Sequence, residues 1–252
     1  MLKNRLIPCL DVKNNQVVKG INFENLIETG DPVELAKSYV LQGADELCFL
    51  DICASQDNRE IMINMVRKVA QVCFIPFTVG GGVKSIEDFS ILLKSGADKI
   101  SINSSAIKNP QLITDSANKF GSQAVVVAID VKKNSQGQYR IYSHGGKNET
   151  DLDAFLWAKQ VEEFGAGEIL LTSMNQDGTK NGYDLDLLTK ICNNVNIPVI
   201  ASGGVGELEH LAQGLRAGAS AVLAASIFHF NEFTISDAKE YLNSQHLPVR
   251  LS

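Results

Sequence analysis

Residues 75–88 read IPFTVGGGVKSIED, and residues 197–210 read IPVIASGGVGELEH. Each is a short apolar run that breaks at a glycine turn and then opens a helix-like pattern. They lie 122 residues apart in a chain of 252. The same spacing relates GADELCFLDICASQD from Gly43 to GAGEILLTSMNQDGT from Gly165, and GADKISINSSAI from Gly96 to GASAVLAASIF from Gly218. A constant offset of half the chain reads as two copies of one unit.

Working outward, short β-branched runs alternate with helix-period segments throughout. The strand candidates are Arg5–Asp11, Glu46–Asp51, Pro76–Gly80, Lys99–Asn103, Val125–Asp130, Glu168–Ser173, Pro198–Ser202 and Ala221–Ala225. Helical patterns follow, with legible starts: Asp31 then Pro32 before VELAKSYVLQG, and Ser85 with Asp88 as a capping-box pair. Eight such units in this length predict a (β/α)8 TIM barrel built from two duplicated half-barrels, a single domain over residues 1–252. A doubly wound open sheet would need an early G-x-G-x-x-G turn, and the sequence has none.

Composition narrows the function classes. A net charge of −6 argues against nucleic acid as the main partner. No apolar run is long enough to span a bilayer, and MLKNRLIPCL enters a strand at once without a leader, so the expectation is a cytoplasmic protein. The five cysteines, Cys9, Cys48, Cys53, Cys73 and Cys192, are scattered and read as small buried hydrophobes in a reducing compartment. His144, His210, His229 and His246 have no metal-ligand spacing and read as surface or structural residues; no metal and no cofactor is implied.

Two of the apolar runs end in a carboxylate: RLIPCLDVKN at Asp11 and AVVVAIDVKK at Asp130. Burying a lone carboxylate is costly. In a barrel, the C-terminal strand ends face the mouth where chemistry occurs, so both carboxylates are expected on opposite sides of one cavity. A carboxylate here could also simply cap the following loop; two related by duplication favour the chemical role.

The duplication also predicts two anion sites. ASGGVG after the seventh strand and AASIFH after the eighth present Gly204, Ala225 and Ser226, the usual barrel phosphate position. Their first-half copies, VGGGVKS and SINSSA, give Gly82, Asn103 and Ser104. The implied substrate is long and carries a phosphate at each end. After the first strand, KNNQVVKGINFENLIETG is far longer than ordinary βα loops; with Lys19 in it, it suits a lid over the substrate. SMNQDGTKNGYD after the sixth strand is a second polar loop on that face, with Asp177 and Gly178. At the opposite face, Arg5, Glu46, Lys99 and Glu168 start four strands, and their mixed charges can form a ring that closes the barrel bottom.

IPCLDVKNNQVVKGINFEN, FLDICAS, VGGGVKS, GADKISINS, GSQAVVVAID, GAGEILLTSMNQDGTKNGYD, IPVIASGGVGELEH and AASIFHFNEFTISDAKEYL with PVR closely resemble the cyclase-subunit family of imidazole glycerol phosphate synthase. The resemblance runs over essentially the whole chain; Cys53 departs from it, where that family more often has Thr. It implies that ammonia from a glutaminase partner attacks a phosphoribulosyl-formimino derivative of aminoimidazole carboxamide ribonucleotide. Imidazole glycerol phosphate forms and aminoimidazole carboxamide ribonucleotide leaves. It further implies Asp11 and Asp130 as the general acid/base pair, with Lys19, Asp51, Thr172 and Ser202 against substrate. Gly82, Asn103 and Ser104 would hold one phosphate, and Asp177, Gly178, Gly204, Ala225 and Ser226 would lie at the other. The ring of Arg5, Glu46, Lys99 and Glu168 would be the ammonia gate, and Asp98 and Gln123 partner contacts.

Two other readings compete. A related sugar-phosphate isomerase would keep the paired aspartates and the phosphate sites but needs neither the long VVKGINFEN loop nor the charged ring. A redirected paralogue passing ammonia to another pathway, such as surface-sugar amidination, is expected to have lost one strand-end aspartate; both are present here.

Overall fold

The computed structural model describes residues 3–13, 16–21, 24–52 and 59–251, with the backbone alone for 19–21, 24–29, 59 and 61. Cys53 and the side chain of Lys19 therefore lie outside the described residues.

The chain opens with β1 (Arg5–Lys13), which continues antiparallel into β2 (Gln16–Ile21) and β3 (Glu24–Gly30) before α1 (Pro32–Leu41). Next come β4 (Leu47–Asp51) with α2 (Arg59–Ala70), β5 (Phe77–Gly80) with α3 (Ile86–Lys94), and β6 (Lys99–Ile102) with α4 (Ser104–Lys108) and α5 (Gln111–Phe120). The second half repeats this grammar. β7 (Val125–Lys133) runs into antiparallel β8 (Tyr139–Ser143) and β9 (Asn148–Asp153) before α6 (Ala154–Glu163). Then follow β10 (Glu168–Ser173) with α7 (Leu185–Asn194), β11 (Val199–Ser202) with α8 (Leu208–Arg216), and β12 (Ala221–Ala224) with α9 (Ser226–His229) and α10 (Ile235–Ser244).

β1, β4, β5, β6, β7, β10, β11 and β12 pair in parallel in that order, and β12 pairs back onto β1. This closed eight-strand sheet with helices between strands is the (β/α)8 barrel expected. The strands tilt steeply. Asp11 at the top of β1 is level, through Leu50, Gly80, Ser101 and Val126, with Glu168 at the bottom of β10.

Local chemistry explains the repeats. Asp31 caps α1 by accepting from Val33 and Glu34 N–H at 2.9 and 3.1 Å. Asp153, 122 residues on, caps α6 through Phe155 and Leu156 at the same two distances. The catalytic candidates Asp11 and Asp130 are only 119 apart. The excursion between each aspartate and its helix cap, longer in the second half, absorbs the difference. The expected capping box at Ser85 and Asp88 is formed, with Ser85 Oγ accepting from Asp88 N–H at 3.2 Å.

Apolar side chains fill two layers. Between strands and helices, Leu47, Phe49, Phe77, Phe89 and Ile100 are fully buried, and Phe49 meets Phe77 edge-on at 5.9 Å. Each such large side chain contributes about 1.5–3 kcal/mol through burial. Inside the barrel, Ile7, Cys9, Cys48, Val126, Leu170, Ile200 and Leu223 form a second cluster. No helix among the described residues is long and apolar enough to cross a membrane.

Candidate active site

Strand alternation decides which side chains face the barrel axis, because successive residues point to opposite faces. Ile7 and Cys9 belong to the interior cluster, so Asp11 points inward above them, and it is buried. Val126 and Ala128 do the same for Asp130, Leu170 for Thr172, Ile200 for Ser202, and Leu223 for Ala225. Asp130, Thr172 and Ser202 stand level on neighbouring strands. Asp51 falls on the other parity: Leu50 faces the interior, so Asp51 ends β4 half-buried on the opposite side, with its carbonyl packed beneath Gly81. That contact requires glycine, since a Cβ at Gly81 would sit 2.2 Å from the Asp51 oxygen.

The two carboxylates have different surroundings. Asp130 Oδ2 accepts a 2.8 Å hydrogen bond from Asn103 Nδ2. Burial, followed by repulsion from the nearby Asp177 carboxylate, pushes Asp130 up to about 6, against the lowering pull of the Asn103 bond. Asp11 lies within 3.7 Å of Cys9 Sγ, a weak thiol donor. Asp177, from the loop after β10, lies close enough to act electrostatically on Asp130.

The first-half loops converge as the duplication implies. Gly82 sits in the turn after β5 with φ 67°, a left-handed backbone that glycine adopts freely. Asn103 and Ser104 begin α4 after β6. The Asn103 side chain spends its amide on Asp130, and its Oδ1 is buried without a partner. Ser104 Oγ accepts from the backbone N–H of His144 at 2.8 Å. In the second half, Gly178 and Gly204 have φ of 76° and 105°, and Ala225 and Ser226 begin α9. Gly204 is locked by close packing: its carbonyl accepts from Gly182 N–H at 2.7 Å, and a Cβ there would lie 2.1 Å from Gly182 O.

Lys19 occupies β2, so the long segment after the first strand is an antiparallel extension of the barrel wall rather than an irregular lid. Val18 pairs with Asp11 there. Sequence reading missed the equivalent β8–β9 hairpin, in which Tyr142 pairs with Asp130 and whose tip, at His144, reaches Ser104.

At the opposite end the four charges form a closed alternating ring. Arg5 bonds Glu46 at 2.9 Å and also Glu168; Lys99 bonds Glu46 and Glu168 at 2.9 Å each. Glu46 and Glu168 are buried, so each needs both cations around it. Asp98 is engaged in the fold: its Oδ2 accepts from Phe77 N–H at 3.0 Å while its own N–H bonds Phe77 O at 3.0 Å. Asp45 makes the same two-way link to Leu6. Gln123 is exposed on this end, and its amide bonds Phe120 O at 3.2 Å. Phe74, 86% exposed beside a pocket lined by Cys73, Pro76 and Asp98, is a feature sequence reading passed over.

A parallel eight-stranded barrel whose strand ends gather two inward carboxylates, an amide and hydroxyls above Gly-rich turns has the architecture of a (β/α)8-barrel enzyme. The chain belongs to the histidine biosynthesis protein family, whose model matches residues 5–234. That family includes the isomerase and the cyclase of the pathway, and the chain is an enzyme of histidine biosynthesis of this isomerase and cyclase type.

Proposed function

We propose that the chain is the cyclase. With ammonia supplied by a glutaminase subunit, it converts the phosphoribulosyl-formimino derivative of aminoimidazole carboxamide ribonucleotide into imidazole glycerol phosphate and aminoimidazole carboxamide ribonucleotide. The observation that carries this reading is the closed ring of Arg5, Glu46, Lys99 and Glu168 at the bottom of the barrel, beneath the apolar interior cluster above which Asp11 and Asp130 stand. An isomerase has no use for an entrance at that end. Exposed Gln123 and Phe74 suit a partner docked over the ring.

The chemistry follows from the environments of the two carboxylates. Asp130, with its pKa raised to about 6, keeps a protonated fraction near neutrality and is the general acid, giving its proton to a carbonyl oxygen as ammonia adds. Asp11, on the opposite wall, takes protons from nitrogen as the imidazole ring closes. Asn103 orients Asp130, and its buried Oδ1 would accept from a substrate hydroxyl or N–H. The turns at Gly82 with Ser104, and at Gly178 and Gly204 with Ser226, would hold the two phosphates through backbone N–H groups and hydroxyls. Thr172 and Ser202 would meet the middle of the substrate, and Lys19 would reach it from β2.

The test offers the isolated chain two compounds: the ribulosyl substrate with ammonium salt, and the unrearranged ribosyl precursor alone. Consumption of the first, dependent on ammonia, is expected. Rearrangement of the second without ammonia would make the chain the isomerase. Turnover of neither, with glutamine hydrolysis still stimulated in a partner, would favour the redirected paralogue.

A further inference from the structure

We propose that His144 is a phosphate ligand of the first-half anion site, donating through Nε2 to the same phosphate that Ser104 and Gly82 hold; this rests on the bisphosphate reading above. Four observations converge on it.

The first is position. β8 rises antiparallel from the end of β7, and its tip crosses to the loop after β6, where His144 N–H bonds Ser104 Oγ at 2.8 Å. With an acceptor site of that hydroxyl taken, the Ser104 O–H is directed elsewhere as a donor. The second is backbone. His144, Gly145 and Gly146 run consecutively left-handed, with φ of 56°, 63° and 80°. Gly146, at φ 80°, has a backbone that glycine adopts freely, which accounts for that residue. At His144 a glycine would relieve the backbone, yet the chain carries an imidazole there; strain of this kind gathers at functional sites.

The third is the tautomer. His144 Nδ1 lies 3.3 Å from Asn148 Nδ2, a group that can only donate, and 2.9 Å from Ser143 Oγ. Nδ1 is therefore the acceptor, and the ring proton sits on Nε2. His144 is exposed, so this N–H is open to a ligand. The groups facing the residue are thus the Ser143 hydroxyl, the Asn148 amide and the Ser104 hydroxyl, each of them uncharged. The fourth is symmetry. In the first half, Lys19 follows the residue paired with Asp11; in the second, Ser143 follows the residue paired with Asp130 and lies 2.9 Å from His144 Nδ1. Each half then carries one basic residue, Lys19 or His144, on or just beyond the strand that its aspartate pairs with.

The test is a titration of the full chain with inorganic phosphate, followed by 1H–15N spectra of backbone amides and histidine rings. The expected result is that His144 Nε2 shifts together with the Ser104 amide and saturates at the same phosphate concentration. Movement of Ser104 and Gly82 with His144 Nε2 unmoved would overturn the assignment, as would no movement of Ser104 at all. The His144→Gly variant supplies the second measurement. Its affinity for phosphate is expected to fall about tenfold with the thermal midpoint unchanged or higher; unchanged affinity would contradict the proposal. Neither readout needs turnover, so a failure of the cyclase assignment is detected separately by the two-substrate assay.

Discussion

Asp11 and Asp130 hold the same place in the two halves, at the end of a first strand, facing the axis, with an antiparallel extension beyond. Their neighbours differ. After β6 comes Asn103, whose amide bonds Asp130 at 2.8 Å; after β12, 122 positions later, comes Ala225, whose side chain has nothing to donate. Asp177 adds a second carboxylate near Asp130. Asp130 thus has an orienting amide and a repelling neighbour, and the two halves surround their strand-end carboxylates with different side chains. Two unequal carboxylates facing each other can act as acid and base in one turnover, which two identical ones do poorly.

The largest expected effect comes from removing either carboxylate. Asp11→Asn and Asp130→Asn should each lower ammonium-driven kcat by about 10²–10⁴-fold, with substrate binding retained, as measured by steady-state kinetics and calorimetry. Asn103→Ala should follow, with kcat lower by up to about 10²-fold. Losing the bond that favours the charged form also raises Asp130 further, so the alkaline limb of the rate profile at fixed free ammonia, where the general acid loses its proton, should move to higher pH. The converse, Ala225→Asn, puts a donor beside Asp11; if it changes nothing while Asn103→Ala is severe, the asymmetry stands.

Stability separates the roles in another way. In the folded chain Asp130 binds its proton up to about pH 6, whereas an unfolded aspartate releases it near 3.8. Ionised Asp130 therefore destabilises the fold, a cost that grows as pH rises from about 4 to about 6 and is complete above it. Asp130→Asn should be more stable than the parent by about 2 kcal/mol at pH 7.5, after allowance for partial exposure, and the gain should fade as pH falls toward 4 in denaturant titrations. The smallest effect belongs to Asp177→Asn. Without its repulsion Asp130 drops, and the alkaline limb should shift to lower pH by less than about one unit.

Much of this was legible in the sequence for identifiable reasons. Buried parallel strands are continuous β-branched runs, so VVVAID and EILLTS announce themselves, and the 122-residue offset supplied the closure. Capping residues such as Asp31 and Ser85 are local chemistry and read directly. The two antiparallel extensions were not legible. QYRIYSHGGKNETD has little apolar content, and its pairing is dictated by the end of β7 rather than by its own pattern. The same limit applies to side-chain direction. Asp51 looks equivalent to Asp11 as a strand-end aspartate, and only the register with β1 and β5 puts it on the opposite parity. Asn103 read as an anion ligand because its loop copies the one at Ala225; its bond to Asp130 crosses between strands and leaves no mark in either local sequence.

The most direct test is turnover of the ribulosyl substrate by the isolated chain with ammonium salt, at several pH values and constant free ammonia, in the parent, Asp11→Asn and Asp130→Asn proteins. The expected result is ammonia-dependent formation of imidazole glycerol phosphate in the parent alone, with a rate that falls as pH rises past about 6, where Asp130 loses its proton. Activity that persists without ammonia, or that survives loss of either carboxylate, would contradict the assignment of two unequal aspartates to one ammonia-using ring closure.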